Sequence, residues 1–499
     1  MSADATADLL RRAHDSRIIV IGGGIAGLVA AWDCAKVGLR VSVLEAADEA
    51  GGAIRTRVVA GVPLDVGAES YATRGGHVRA LLSELGLDGE IVRPRGGRAW
   101  LAGVPRVGAA PLPAGGLLGI PENPFADDVR RVIGWRGAWR AYVDRLRPVL
   151  TIGHQHSLGT LVSSRMGARV LERLVAPVVQ GVYSARPEEI DVDAAAPGLN
   201  AALTRVGTLS GAVVAMRGDR DPKLAPGAAV EGLRGGMGRL VDALVERIRE
   251  LGGEVVTGAP VRSIARGEDD WVVRREADDA AERRGDAVAT PAEALEDVRG
   301  DAVIVATGEE AARRLLSPLV PALPTDAGVH PVVEVVTLVV DAPALDAAPR
   351  GSGVLTVPGS HVAKALTHVT AKWQWVADAF GESGRHVVRV SFGAQGEAPA
   401  TAALSDDDAF DLAREQASVL LGVSLPADAV VDAHRASYAQ SQPASAIGLA
   451  ESAARARASV ADAGTMAVVG AWLAGTGLAN VVPDALAGAE RIRTEVLWR

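Results

Sequence analysis

The chain has 499 residues, 48% of them apolar and only 3% aromatic, with 52 basic against 61 acidic side chains and a formal charge of −9. That length suits two or three domains with large cores, and an acidic balance without a basic stripe excludes nucleic acid as the natural partner. A single cysteine, Cys34, excludes an internal disulfide and a cysteine metal cluster, and reads as a small buried residue of the first predicted helix.

The opening MSADATADLLRRAHDS lacks the apolar core of a signal peptide. Ile18–Ile21 is apolar and β-branched, the pattern of a strand buried on both faces. Gly22, Gly24 and Gly27 follow at G-x-G-x-x-G spacing, with Gly23, Ile25 and Ala26 between them. Leu28–Val37 reads as helix, with Gly38 as its stop, and Val41–Leu44 as a second strand ending in Glu45 and Ala46. This order has a specific physical use. Gly22 permits the tight turn, Gly24 lets the backbone approach a pyrophosphate, Gly27 allows close helix–strand packing, and the helix N-terminus offers free N–H groups to phosphates. Glu45, eighteen residues after Gly27, suits ribose hydroxyls, and an acid there argues against a 2′-phosphate. A purely structural glycine turn does not account for strand, helix, second strand and terminal acid together.

The paired glycines Gly51 and Gly52, with Ala53, Arg55 and Thr56, form a turn whose N–H groups and one guanidinium can meet a second phosphate. In DVGAES, Gly67–Ala68 is a small-residue crossing where a flat ring can lie, followed by Glu69 and Ser70. Residues 95–225 change character, with Pro-rich loops, Trp135, Trp139 and helical patterns from Leu158 to Val179; His154 and His156 read as a surface pair. Residues 230–310 return to α/β, with strands at DDWVVRRE and DAVIVATG and with Val261 on a strand whose main chain can hold an adenine edge. The charged, Ala-rich stretch near 277–300 reads as an expanded surface loop, and residues 330–440 hold β-rich runs such as VVEVVTLVVD and HVVRVSFGA. Ala463–Pro483 is uncharged and as long as a membrane span, but its glycines fit a strand, a glycine turn and a helix start better.

Over nearly the whole chain these motifs resemble the FAD-dependent amine oxidase and porphyrinogen oxidase superfamily. PLPAGGLLGIP (Pro111–Pro121), PVVQGVYSARPEEIDV (Pro177–Val192), GLRGGMGRL (Gly232–Leu240) and THVTAKW (Thr367–Trp373) are similar to segments of its HemY-type group, the proto- and coproporphyrinogen oxidases. The resemblance implies an α/β fold: a discontinuous Rossmann-like FAD domain of p-hydroxybenzoate-hydroxylase type, an inserted α+β substrate domain and a helical part. The expected division is 17–90, 230–315 and 441–499 for FAD, 91–229 for a helical, membrane-side and substrate part, and 316–440 for a β-rich substrate part. It implies non-covalent FAD, held by the residues above together with Val261, Tyr438, Gly470, Gly477, Leu478 and Ala479, and no metal. Gly-Thr-Gly-Leu-Ala-Asn departs from the family's Pro-Asp in that last motif.

The implied reaction oxidises a porphyrinogen with O2. Six electrons leave in three flavin cycles as hydrogen peroxide, with the flavin carrying the hydride and no side-chain base named. Arg74 and Gly181 match substrate-facing positions, Leu355 and Trp373 match apolar walls, and Lys364 and Lys372 can reach carboxylates. Each also has a plain structural reading: exposed arginine, turn, core residue, solvated lysine. Arg74, Lys364, Lys372 and Arg186, set against few aromatics, favour coproporphyrinogen III with its four propionates over protoporphyrinogen IX with two. The remaining expectations are a cytoplasmic enzyme, at most peripheral membrane contact, and a downstream ferrochelatase as partner. The rival readings are a flavin amine oxidase and a non-catalytic FAD-fold binding protein.

Overall fold

Arg17–Ile21 is the middle strand of a five-stranded sheet in which every neighbour runs parallel. Its flanks are Arg40–Leu44, then Glu254–Val256, on one side and Ala302–Val305, then Met466–Val468, on the other. In a sheet covered on both faces, strands read as continuous apolar runs. Ile18, Ile19, Val20, Val303 and Ile304 are accordingly shut off from solvent, each worth about 1.5–3 kcal/mol of burial. The computed structural model describes residues 3–147, 156–217, 229–276, 295–323, 330–381 and 384–498.

The helix Ile25–Ala35 starts at once after the first strand and is buried along its whole length. It packs against Leu478–Leu497 and Gly238–Glu250, so one face of the parallel sheet is covered by helices from distant parts of the chain. The other face carries the antiparallel strands Val261–Arg266, Trp271–Glu276 and Leu295–Gly300. Trp271 anchors them: it is 2% exposed and its indole N–H donates to Thr465 Oγ1 at 3.0 Å.

A second, seven-stranded sheet is almost wholly antiparallel. Its order is Val430–Ala439, Val332–Asp341, Arg385–Phe392, Ala365–His368, Gly353–Thr356, Trp100–Val104 and Gly108–Pro111. Only Gly353–Thr356 against Trp100–Val104 is parallel. A helical cluster that includes Leu158–Met166, Ala176–Tyr183, Leu199–Val206 and Leu209–Arg217 has its own apolar core around Val162, Val175, Val179 and Leu199.

Several expectations shift. The first long helix begins at Ile25 rather than Leu28 and ends at Ala35, because Gly24 is extended and serves as its N-cap. Leu295–Gly300 is a strand paired to Trp271–Glu276 rather than loop; the rest of the expected loop, and His154, lie outside the described residues. Ala3–Asp15 is a helix that the sequence reading left unassigned. Pro483 falls inside the helix Leu478–Leu497, past the first turn, where it removes the one N–H that would bond the Ala479 carbonyl. Among the described residues no single helix is long and apolar enough to cross a membrane. One bent pair, Leu199–Val206 with Leu209–Arg217, reaches that length and composition together; its Leu199, Leu209 and Val213 are core residues.

Cys34 lies at 0% exposure in this helix layer. Burial, with Asp33 beside it, pushes its thiol up to about 12. The native protein should therefore be inert to a thiol-disulfide reagent at pH 8 and release one thiol per chain once unfolded. Fast stoichiometric reaction of the native protein would contradict this packing.

Candidate functional site

The glycine loop is shaped by close approach. Gly22 has φ of +106°, and a Cβ at Gly27 would stand 1.9 Å from the Gly22 carbonyl oxygen, so only glycine lets the helix cross the strand here. Gly24 caps the helix without a side chain, leaving first-turn N–H groups free for an anion. Glu45 is held in place from two sides: Gly23 N–H donates to its Oε2 at 2.6 Å and Ala47 N–H to its Oε1 at 2.8 Å. Gly51 N–H donates to Gly23 O at 2.8 Å, which lays the paired-glycine turn against the loop. Ala259 N–H donates to Glu45 O at 2.8 Å and brings the segment leading to Val261 alongside. Gly470 also arrives here; a Cβ on it would lie 3.7 Å from Ala26 Cβ. These groups fit a dinucleotide: an uncapped helix start for the diphosphate and a fixed carboxylate for the ribose.

The other expected cofactor residues surround this loop. Ala46, Gly52 and Ala53 are exposed beside it, and Arg55 donates to Gly52 O at 3.1 Å. Thr56 Oγ1 donates to Asp65 at 3.4 Å. Gly477 caps the helix that carries Leu478 and Ala479, each 9% exposed. Tyr438 is farther along the chain's second sheet, opposite Val333 on the strand Val332–Asp341. Its hydroxyl is buried with no partner among the described residues, and Arg389, Arg55 and Arg57 are within electrostatic reach. An orphaned hydroxyl beside cations is a group waiting for a polar ligand.

Between the two sheets lies a charge cluster that the sequence reading did not assemble. Glu69 accepts from Lys372 Nζ at 2.5 Å and from Arg389 Nη1 at 3.0 Å. Arg389 also donates to the carbonyls of Val66 at 3.0 Å and Gly67 at 2.6 Å. Burial alone would raise the Glu69 carboxyl, but Lys372 and then Arg389 hold it down to about 2. Nearby Asp65 takes the Met237 N–H on both oxygens, and burial raises it to about 6. The helical turn that delivers Lys372 is backed by a buried, uncharged pair: His368 Nε2 lies 3.1 Å from His386 Nδ1, and burial pushes His368 down to about 4.

The expected substrate residues fall into two groups. Arg74 reaches Asn480 Oδ1 at 2.5 Å and is within electrostatic reach of Tyr183. Gly181 and Leu355 touch: a Cβ at Gly181 would meet Leu355 Cδ2 at 2.4 Å. Lys364 Nζ donates to Ser184 Oγ at 2.7 Å. Gly181, Leu355 and Lys364 thus meet on one helical turn, Gly181–Ser184, with Arg74 in electrostatic reach of its Tyr183. Trp373, 2% exposed, instead packs over Gly232, and Lys372 is committed to Glu69. Arg186 is exposed and paired with Glu189 at 2.7 Å, and His156 is exposed and 3.3 Å from Asp191. Arg389, Asp65 and Ser184 were missed. A signal existed for the first two: a lone charge within the apolar runs HVVRVSF and VPLDVG.

Two predictions test this geometry. Glu69→Gln leaves the buried Arg389 and the half-buried Lys372 uncompensated and should cost about 3–5 kcal/mol at pH 7 by urea unfolding. A carboxyl depressed from 4.5 stabilises the fold fully above that value and loses the contribution as pH falls toward 2, so the gap from wild type must close on acidification. A gap that is constant with pH would contradict the triad. Glu45→Ala should cost about 1–3 kcal/mol of dinucleotide affinity by equilibrium titration of the apoprotein; unchanged affinity would remove Glu45 from the site.

Comparison with known proteins places the chain in a family. Residues 25–492 match the family model of flavin containing amine oxidoreductases. The chain is 31% identical over 485 residues to the coproporphyrinogen III oxidase of Mycobacterium tuberculosis strain H37Rv, covering 96% of each chain. It is 28% identical to that of Propionibacterium freudenreichii, covering 96% of this chain and 91% of the relative. A solved structure from Exiguobacterium sp. 255-15, provisionally named as a protoporphyrinogen oxidase, superposes with a TM-score of 0.77 at 22% identity, covering 96% and 99% of the two chains. Putrescine oxidase shares the fold at a TM-score of 0.62 and 17% identity. The chain therefore belongs to the flavin containing amine oxidoreductase family, with a Rossmann-like α/β fold and FAD as its cofactor.

Proposed function

We propose that this chain is a coproporphyrinogen III oxidase that uses O2, with residues 17–90, 230–315 and 441–499 serving FAD and the rest serving the substrate. The observation that carries the reading is the turn Gly181–Ser184, where an aliphatic wall meets the Lys364 ammonium and a second cation, Arg74, is in electrostatic reach. Leu355 supplies the wall, and neither Arg74 nor Lys364 has a carboxylate partner among the described residues. An apolar macrocycle with carboxylate arms needs that combination. A small amine does not: it carries no carboxylates and its cation would be repelled. The names of the full-length relatives support the same choice.

FAD, when bound, accepts the hydride that leaves a bridging carbon of the macrocycle. The chain's own residues do the rest. The uncapped start of Ile25–Ala35 takes the diphosphate and Glu45 the ribose. With Cys34 buried and no other cysteine present, there is no thiol for a cysteinyl-flavin bond, which supports a cofactor held non-covalently. Leu355 offers the ring an apolar surface, while Arg74 and Lys364 orient it by its carboxylates. Over three rounds, porphyrinogen and three O2 become porphyrin and three hydrogen peroxide. The reaction belongs in the cytoplasm, and the product's next partner is an enzyme that inserts a metal into it, such as a ferrochelatase.

Lys372 and Arg186 are paired with Glu69 and Glu189, so two cations rather than four remain to read the substrate. An exposed charge pair contributes up to about 1 kcal/mol, about fivefold in an equilibrium or a rate constant. The expected result is a kcat/KM at least about fivefold higher for coproporphyrinogen III than for protoporphyrinogen IX, with part of the advantage lost in added salt. Higher, salt-insensitive efficiency on protoporphyrinogen IX would reverse the assignment.

A further inference from the structure

Lys364 immediately precedes the strand Ala365–His368 and is only 8% exposed. Its backbone is pinned: Thr356 N–H and Oγ1 both donate to its carbonyl, at 3.2 and 2.9 Å. Its ammonium donates to one neutral group, Ser184 Oγ, at 2.7 Å. Other buried cations in this chain are matched. Arg389 pairs with Glu69, Arg165 with Asp144 and Arg313 with Glu309. Lys364 has no carboxylate within ion-pair distance among the described residues. Taking an ammonium out of water without a counter-charge is strongly unfavourable, and a fold retains one chiefly where a ligand brings the missing anion.

The position of the pair points the same way. Ser184, with φ of +53°, ends the helix Ala176–Tyr183 and is held there by its N–H to Gln180 O and by Gln395 N–H to its own carbonyl. One turn earlier, Gly181 meets Leu355, the neighbour of the Thr356 that pins Lys364. The ammonium therefore sits on the same turn as the apolar wall. Burial lowers its pKa to about 8, which leaves it largely charged at neutral pH.

We infer that Lys364, positioned by Ser184, is a built receptor for one carboxylate arm of the substrate and the main determinant of substrate choice at this site. The inference rests on the porphyrinogen reading above and sharpens it. A carboxylate arriving here meets an ammonium N–H and the Ser184 hydroxyl in a desolvated position, where a charge pair is less screened than at Arg74. Discrimination by Lys364 should thus survive salt that abolishes the share contributed by Arg74.

The test uses FAD-loaded wild-type protein, Lys364→Met and Ser184→Ala. Coproporphyrin III, an air-stable ligand, and its tetramethyl ester are titrated by fluorescence quenching, and Tm is measured without ligand. Lys364→Met should weaken coproporphyrin III binding at least tenfold and leave ester binding within about twofold, with Tm raised because an uncompensated cation has gone. Ser184→Ala should weaken the acid in the same direction by a smaller factor. Unchanged acid binding would overturn the inference, as would equal loss of acid and ester or a Lys364→Met protein with lowered Tm or no fold. If the wild-type protein oxidises neither porphyrinogen, the functional reading falls and takes this ligand with it. If it oxidises coproporphyrinogen III and Lys364→Met binds coproporphyrin III like wild type, only the inference about Lys364 falls.

Discussion

The architecture turns on one buried carboxylate. Glu69 lies on the loop that follows the small-residue crossing Gly67–Ala68, and its two cationic partners, Lys372 from a short helical turn and Arg389 from a strand of the second sheet, are 303 and 320 residues away in sequence. Arg389 reaches past the carboxylate to the carbonyls of Val66 and Gly67. The loop expected to contact the flavin ring is thereby fastened to the strand Arg385–Phe392, and the short turn bearing Lys372 is fastened with it. A buried ion triad of this kind gives little net stability over an apolar replacement, but breaking it is costly. Its consequence is positional: the segment Val66–Glu69 is tied to the strand Arg385–Phe392 and to the turn bearing Lys372.

That constraint explains how the remaining charges are divided. Lys372 is consumed by the clamp and Arg186 by Glu189, which leaves Arg74 and Lys364 as the two expected cations without a carboxylate partner among the described residues. The strand Tyr71–Ala72 that leads to Arg74 is itself braced. Buried Glu231 accepts from the Tyr71 hydroxyl at 2.9 Å and from Arg79 at 2.9 Å. The two uncompensated cations differ in setting. Arg74 is exposed and screened, while Lys364 is sealed under the end of a helix. Polar residues on one side thus build rigidity, and on the other leave two cations without a counter-charge among the described residues.

The parallel-sheet motif was legible in the sequence because its determinants are local. The apolar run Ile18–Ile21, the glycine spacing and the acid at Glu45 all fall within thirty residues, and backbone sterics tie each to the next. The cofactor and the family followed from the same stretch and from the segments after it. The clamp was not legible. Glu69 and Lys372 each read in sequence toward a ligand and Arg389 shows only as a lone charge in an apolar run, and pairing over three hundred residues leaves no periodicity that joins them. The same holds for Lys364. Buried and solvated lysines look alike in a sequence, and only packing against Ser184 separates it from Lys372. Leu295–Gly300 was lost to its charged, Ala-rich surroundings, since LEDVRG has no clear alternation and gains its strand character from pairing with Trp271–Glu276.

The most direct test is an anaerobic titration of the purified, flavin-loaded protein with coproporphyrinogen III, following flavin absorbance and porphyrin fluorescence together. The account predicts that the flavin band bleaches and that porphyrin appears in the ratio of one molecule for every three flavins reduced, with colour restored when O2 is admitted. A flavin that is untouched by the porphyrinogen and bleached by a primary amine would contradict it.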